Sequence, residues 1–165
     1  MGARPVFYYD VGSPWSWIAG ERVNHALGEV PEWVPVLAGG PAGVDRGEVE
    51  RRAGELGLPP LRWPEPFPFD SRVAMLAATF AKQSGRAVAF SLAAMRQAFA
   101  AGRDLSVTDN VLIAAAACEL HPRALLKGIE LRTVREELDA ASAAVGSVPL
   151  VLDGDGRELP RELYL

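Results

Sequence analysis

The stretch Phe7-Tyr8-Tyr9-Asp10-Val11-Gly12-Ser13-Pro14-Trp15-Ser16-Trp17 limits the folds open to this chain more than any other. An apolar run bounded by Pro5 and Asp10 suits an interior strand, Asp10 to Gly12 a tight turn, and Ser13-Pro14 the start of a helix. Proline costs nothing in a helix's first turn, where its N–H would have had no partner, and serine is a favoured N-cap. A helix N-terminus is thereby set at the end of a buried strand. Its first amides lack intrahelical acceptors and carry partial positive charge, so an anion there gains about 0.3 to 2 kcal/mol.

Ser13 and Ser16 flank Pro14-Trp15, the C-P-x-C spacing of thiol–disulfide chemistry with an oxygen in place of each sulfur. Hydroxyls at ordinary pH form no anion and exchange no disulfide, so redox chemistry at this position is excluded. What the pattern can do is hold a thiolate brought by another molecule, with the Ser13 hydroxyl donating to the sulfur. It is met equally well by Ser13 acting only as a helix cap. Trp15, between the serines, is expected near any ligand, and Trp17 in the core.

Further along, apolar spacing predicts a helix from Pro14 to about Leu27, with Ala19, Val23 and Ala26 inward and Gly28 as its stop. His25 falls off that stripe. Glu32 to Leu37 reads as a second strand, parallel to the first, with Trp33 and Pro35 marking an edge. The Gly/Pro-rich run Ala38–Val44 marks a boundary, after which helical periods dominate.

A charged helix is predicted over Asp45–Leu56. Prolines 59, 60, 64, 66 and 68 then forbid helix, and Leu61, Trp63, Phe67 and Phe69 are too apolar to remain in water, so this segment is expected to pack as an extended wall, lining a cleft. Helical stripes follow at Val73, Leu76, Ala77 and Phe80, then at Val88, Leu92, Met95 and Phe99. Ser106 and Asp109 are expected to cap a helix presenting Val107, Val111, Ala114 and Cys118, with a short helix over Arg123–Lys127 next. Thr133 and Glu136 form a capping box before a stripe of Leu131, Val134, Leu138, Ala141 and Val145. Val148–Leu152 is the third strand, Asp153–Gly156 a hairpin turn and Arg157–Leu159 a short fourth strand. Pro149 suits the first residue of an edge strand, in trans or, at the modest cost of an X-Pro bond, in cis.

The 165 residues, 49% hydrophobic and 23% charged, suit one globular domain with room for an insertion. A formal charge of −4 without a basic, aromatic-interleaved patch argues against nucleic acid and anionic membranes as partners. Met1 to Pro5 leads into the first strand without an apolar signal core, and no apolar run reaches about 18 residues, so the cytoplasm is the expected location. One cysteine, Cys118, excludes an intrachain disulfide and a cysteine metal cluster, and its place on an apolar stripe predicts a buried small hydrophobe. His25 and His121 lack a ligand spacing, so no metal is expected.

Asp10 to Trp17 resembles the D-x-x-S-P-[YW]-S-[WY] opening of kappa-class glutathione transferases and 2-hydroxychromene-2-carboxylate isomerases, in the DsbA-like branch of the thioredoxin fold. Val145 to Gly154 is similar to that family's G-x-x-G-V-P segment, and Phe67-Pro68-Phe69-Asp70-Ser71 to the start of its helical insertion. The resemblance implies an α/β, thioredoxin-like domain over 1–44 and 129–165 with an all-helical insertion over 45–128. It also implies a thiol co-substrate, glutathione or another low-molecular-weight thiol. Ser13 would act on its sulfur, Pro14 and Trp15 would lie beside it, and Val148 would bond its peptide, with Pro149, in cis, shaping the loop. The other reactant would be a small-molecule electrophile.

Two departures stand out. No Gly-x-Asp-Arg, which in the family holds the γ-glutamyl group, follows the hairpin, and Arg46, Arg51 and Arg52 are the cations available where relatives offer lysine or asparagine. The family's final helix is also not found, and a homodimer is one way to cover the sheet face it would leave. The expected function is a thiol-dependent isomerase or transferase. The alternatives are a binding or assembly protein with an eroded thiol site and a disulfide oxidoreductase, which would need a cysteine at the helix start.

Overall fold

The computed structural model describes residues 2–38 and 43–165, so most of the expected boundary at Ala38–Val44 lies outside the described residues. Strand β1 (Val6–Tyr9) leads through the Asp10–Gly12 turn into helix α1 (Pro14–Ala26), and β2 (Glu32–Pro35) follows. β1 is central in the order β2-β1-β3, parallel to β2 with Phe7 opposite Trp33 and antiparallel to β3 (Leu150–Leu152) with Phe7 opposite Val151.

Period-two alternation puts Phe7, Tyr9 and Trp33 on one face of the sheet, where all three are buried. Phe7 meets Trp33 edge-on at 4.8 Å between centroids, and Tyr9 meets Trp33 at 5.2 Å. Each ring buried this way stabilises the fold by about 1.5–3 kcal/mol. α1 and α4 (Ala87–Phe99) pack on that face: Gly20 of α1 comes so close that a Cβ would lie 2.7 Å from Met95 Cε and 3.3 Å from Trp33, and the Tyr9 and Ser91 hydroxyls are 2.5 Å apart. The opposite face, at Val34, looks toward Thr79 of α3 (Arg72–Gln83) and Ala141 of α7 (Arg132–Ala143). Helices on both faces of a small mixed sheet make this a thioredoxin-like fold with a large helical portion.

Several local expectations give way to tertiary packing. α3 is wrapped on most sides, burying Ala74, Met75, Ala77, Ala78 and Ala81, whereas Val73 and Phe80 are only half-buried, because alanines let neighbouring helices approach from several directions. On α4 the buried face is Phe90, Ala94, Met95, Ala98 and Phe99, with Val88 and Leu92 at its margin. α5 (Thr108–Ala117) takes Val107 as N-cap, since Ser106 instead donates through both its N–H (2.9 Å) and its hydroxyl (2.6 Å) to Asp104 Oδ1. α6 (Pro122–Gly128) is joined to α7 by so short a link that α7 begins at Arg132. Thr133 then lies inside the helix, no capping box forms, and Glu136 pairs with Arg132 at 2.6 Å. Only Val134 and Leu138 of the expected α7 stripe are buried.

The Asp153–Gly156 turn closes as predicted, with the Gly156 N–H donating to Asp153 O at 3.0 Å. The expected fourth strand is a single bridge, Leu152 to Glu158, because after Pro160 the chain turns into a 3-10 helix over Arg161–Leu163. The proline-rich wall packs as expected, although it lines none of the cavities described below. Trp63 and Phe67 stack against each other at 5.0 Å and against Phe99, while the Arg46 guanidinium of α2 (Arg46–Glu55) lies over both rings at 5.0 and 5.4 Å. Among the described residues no helix is long and apolar enough to cross a membrane.

Candidate functional site

The turn before α1 is held by its own polar groups. Asp10 Oδ1 accepts the Gly12 N–H at 2.8 Å, Asp10 Oδ2 accepts the Ala38 N–H at 3.2 Å, and the Asp10 N–H donates to Ser16 Oγ at 3.3 Å. A Cβ on Gly12 would sit 3.2 Å from Ser71 Cβ, so this turn is pressed against the start of α3. Asp10 is only 3% exposed. Burial raises its pKa, opposed by the hydrogen bonds from Gly12, the Ser71 side chain and Ala38, and nearby Asp70 pushes the same way as burial.

Ser13 is the N-cap of α1. Its Oγ accepts the Ser16 N–H at 3.1 Å, its N–H donates to Asp10 O at 3.0 Å, and its carbonyl accepts the Trp17 N–H at 3.1 Å. That geometry occupies one lone pair of the hydroxyl and leaves its proton without an acceptor among the described residues. The residue is 8% exposed. Ser16, fully buried under Asp10, is a structural partner of the turn.

Beside this turn lies a cavity of about 520 Å³. It is lined by Trp15 at the start of α1, by Glu48, Arg51 and Arg52 of α2, by Val148 and Pro149, and by Arg161, Glu162 and Leu165. The Val148–Pro149 bond is cis. Of the residues expected at the site, Trp15, Val148 and Pro149 therefore line one cavity, whereas Ser13 and Pro14 are buried and do not line it. Arg51 and Arg52 reach it, whereas Arg46 is turned away onto Trp63 and Phe67.

Sequence reasoning missed Glu48, Arg161, Glu162 and Leu165. For Arg161 and Glu162 no local signal was available, because their place is set by how the chain turns after Pro160. Three arginines against two glutamates give the cavity a net positive wall. Arg52 Nη1 pairs with Glu55 at 3.1 Å, Arg51 pairs with the same carboxylate, and these two bonds hold the exposed Glu55 below its ordinary pKa.

Other reactive side chains lie elsewhere. Cys118 is the C-cap of α5 and only half-buried rather than enclosed, with burial raising its pKa, so it remains a thiol at neutral pH. His25 is exposed, and His121 caps α6 through Nδ1, which accepts the Arg123 N–H at 3.1 Å. No group of three or more His, Cys, Asp or Glu side chains able to hold a metal occurs among the described residues. A second cavity, of about 660 Å³, lies between Val30–Trp33 and the α3–α4 turn, where Lys82 pairs with Glu32 at 3.3 Å.

The capped turn leading from a strand into a helix, the parallel strand pair and the antiparallel third strand are shared with solved structures of the DsbA-like thioredoxin fold. The chain is similar to a 2-hydroxychromene-2-carboxylate isomerase at TM-score 0.78 and 18% identity, over 92% of this chain and 85% of that one. It is similar to the cytosolic disulfide reductase DsbM of Pseudomonas aeruginosa, in a structure with GSH, at TM-score 0.72 and 18% identity, over 98% and 91%. No protein-family model matches the chain. No curated protein matches it either.

Proposed function

We propose that the protein is a thiol-dependent isomerase or transferase in which the Ser13 hydroxyl steadies the thiolate of glutathione or another low-molecular-weight thiol. The observation that carries this reading is the Ser13 hydroxyl itself: at the N-terminus of α1, two residues before Trp15, which lines the cavity with Val148 and Pro149, it has a proton left to donate. Lowering a bound thiol's pKa by about two units takes roughly 2.7 kcal/mol. A helix N-terminus contributes about 0.3–2 kcal/mol and one charge-assisted hydrogen bond about 1.5–3 kcal/mol, so the two suffice.

In the isomerase form the thiolate adds to a carbon–carbon double bond conjugated to a carbonyl. The C–S bond forms as the π pair moves onto the carbonyl oxygen, the former double bond rotates, and the pair returns as the C–S bond breaks and the thiolate leaves. Nothing is oxidised or reduced, which accords with oxygens in place of the two sulfurs. The positive cavity wall suits a co-substrate with carboxylates.

The test is Ser13→Ala alongside Ser13→Gly. Glycine is nearly as good an N-cap as serine, whereas alanine costs about 0.5–2 kcal/mol of stability. Loss of thiol-dependent turnover in both variants supports the reading; retention in Ser13→Gly leaves Ser13 as a cap alone. The engagement of Ser13 in the cap and its low exposure favour a second reading, a binding protein without turnover. Heat of binding for glutathione without thiol-dependent turnover of any conjugated electrophile would select it.

A further inference from the structure

Arg22 of α1 and Arg52 of α2 converge on one oxygen. Arg22 Nη1 donates to Leu165 O at 2.7 Å and Arg52 Nη2 to the same atom at 2.5 Å. Arg22 forms no ion pair with a carboxylate among the described residues, and Arg52 spends its other arm on Glu55 at 3.1 Å. Two guanidinium groups brought to one point repel each other unless an acceptor lies between them, and the acceptor that offsets two positive charges best is an oxyanion. The planar N–H fork of arginine matches a carboxylate in particular.

The occupant of this clamp is the end of a short segment without regular secondary structure beyond one turn. Segment Pro160–Leu165 consists of one 3-10 turn, a geometry with little stability of its own, in which Leu163 and Tyr164 donate to Pro160 O and Arg161 O at 3.1 Å and Leu165 donates to Arg161 O at 2.8 Å. Its other anchor is the Tyr164 side chain, which is fully buried, while Leu163 is 40% exposed. Arg52 and Leu165 both line the cavity beside Trp15. A ligand carboxylate entering there meets an arginine already engaged by the chain's own oxygen.

We propose that Arg22 and Arg52 form a carboxylate-binding clamp at the cavity's edge, and that Pro160–Leu165 is an internal competitor which a carboxylate-bearing small molecule displaces. Nothing in the clamp depends on thiol chemistry, so it can fail while the role of Ser13 stands, and the reverse.

The test is a titration of the full chain with sodium succinate, which has no thiol, at constant ionic strength. It is followed by NMR of the Arg22 and Arg52 Nε–Hε signals and by exchange of the Leu165 amide. Saturable shifts at both arginines with exchange at least about tenfold faster are expected, since exchange reports local opening. In Arg22→Gln the Leu165 amide should exchange fast from the outset and ignore succinate. Tyr164→Ala, which loosens the competitor, should tighten succinate binding at least about threefold, as removal of a competing state must. Pro160→Gly gives a second route to the same result if Tyr164→Ala does not fold. Silent arginine signals, shifts without faster Leu165 exchange, or weaker succinate binding in the loosened variants would each overturn the proposal.

Discussion

At the Asp10–Trp17 turn most hydrogen bonds join residues a few positions apart, Gly12 to Asp10, Ser16 to Ser13 and Trp17 to Ser13, with Ala38 on Asp10 and Val11 on Met75 as long-range additions. At the arginine wall the partners lie far apart, with Arg22 and Arg52 meeting Leu165 across 143 and 113 residues. The first region is buried and over-determined, so its geometry survives small changes nearby. The second is assembled from surface side chains of α1, α2 and the Pro160–Leu165 segment, and depends on all three being in place. On the proposed function, the first region would hold the reactive atom and the second would select what carries it.

The sharpest blow to the buried region is Phe7→Ala, expected to cost about 3–5 kcal/mol in urea unfolding because the cavity left between Tyr9 and Trp33 cannot collapse. A loss under about 1 kcal/mol would mean that this face of the sheet is loosely packed. Ser13→Ala should lower thiol-dependent turnover at least about tenfold, equivalent to about 1.4 kcal/mol in the barrier, while the protein remains folded. Turnover equal to the parent's would leave the contrast between the two regions purely structural.

Asp10 gives the buried region a pH signature. Its carboxyl has a raised pKa in the folded state, so the fold binds the proton more tightly than the unfolded chain does. The stability this adds is complete below the unfolded carboxyl pKa and is lost as pH rises through the folded value. Asp10→Asn cannot titrate and should remove that part of the pH dependence. Urea midpoints measured across the acid range, parent minus variant, should therefore fall with rising pH; a flat difference would place Asp10's pKa at its ordinary value.

Disruption of the exposed α2 ion pairs should do least. Glu55→Gln leaves Arg51 and Arg52 without their shared carboxylate, yet unfolding free energy is expected to change by less than about 1 kcal/mol, as for other exposed pairs. A larger loss would show α2 to be as tightly built in as the Ser13 turn. Cys118→Ser should leave thiol-dependent turnover unchanged, because this thiol caps α5, away from the start of α1.

Legibility in the sequence followed the range of the interactions. The Ser13 cap with Pro14 behind it and the Asp153–Gly156 turn rest on contacts within a few residues, and β1 showed as a bounded apolar run, so each was readable from residue type and spacing. The capping box at Thr133–Glu136 was misread because the start of α7 is set by where α6 ends. The α3 stripe was read in part, with Leu76 and Ala77 buried but Val73 and Phe80 only half-buried, because alanines carry no directional signal and a helix packed on several sides buries more than one stripe. Arg161 and Glu162 gave no warning of their place beside Trp15, since their position depends on how the chain turns after Pro160.

By itself the sequence determined that a strand hands over to a capped helix at Ser13, that no sulfur stands there, and that a helical portion precedes a proline-led third strand, because propensity, capping and periodicity act locally. Only the tertiary structure decided that Arg51 and Arg52 but not Arg46 reach the cavity beside Trp15, that Glu48, Arg161 and Glu162 join them there, and that Arg22 and Arg52 close on Leu165. Those arrangements come from packing α1, α2 and the Pro160–Leu165 segment together, and residue spacing carries no record of distances between segments so remote along the chain.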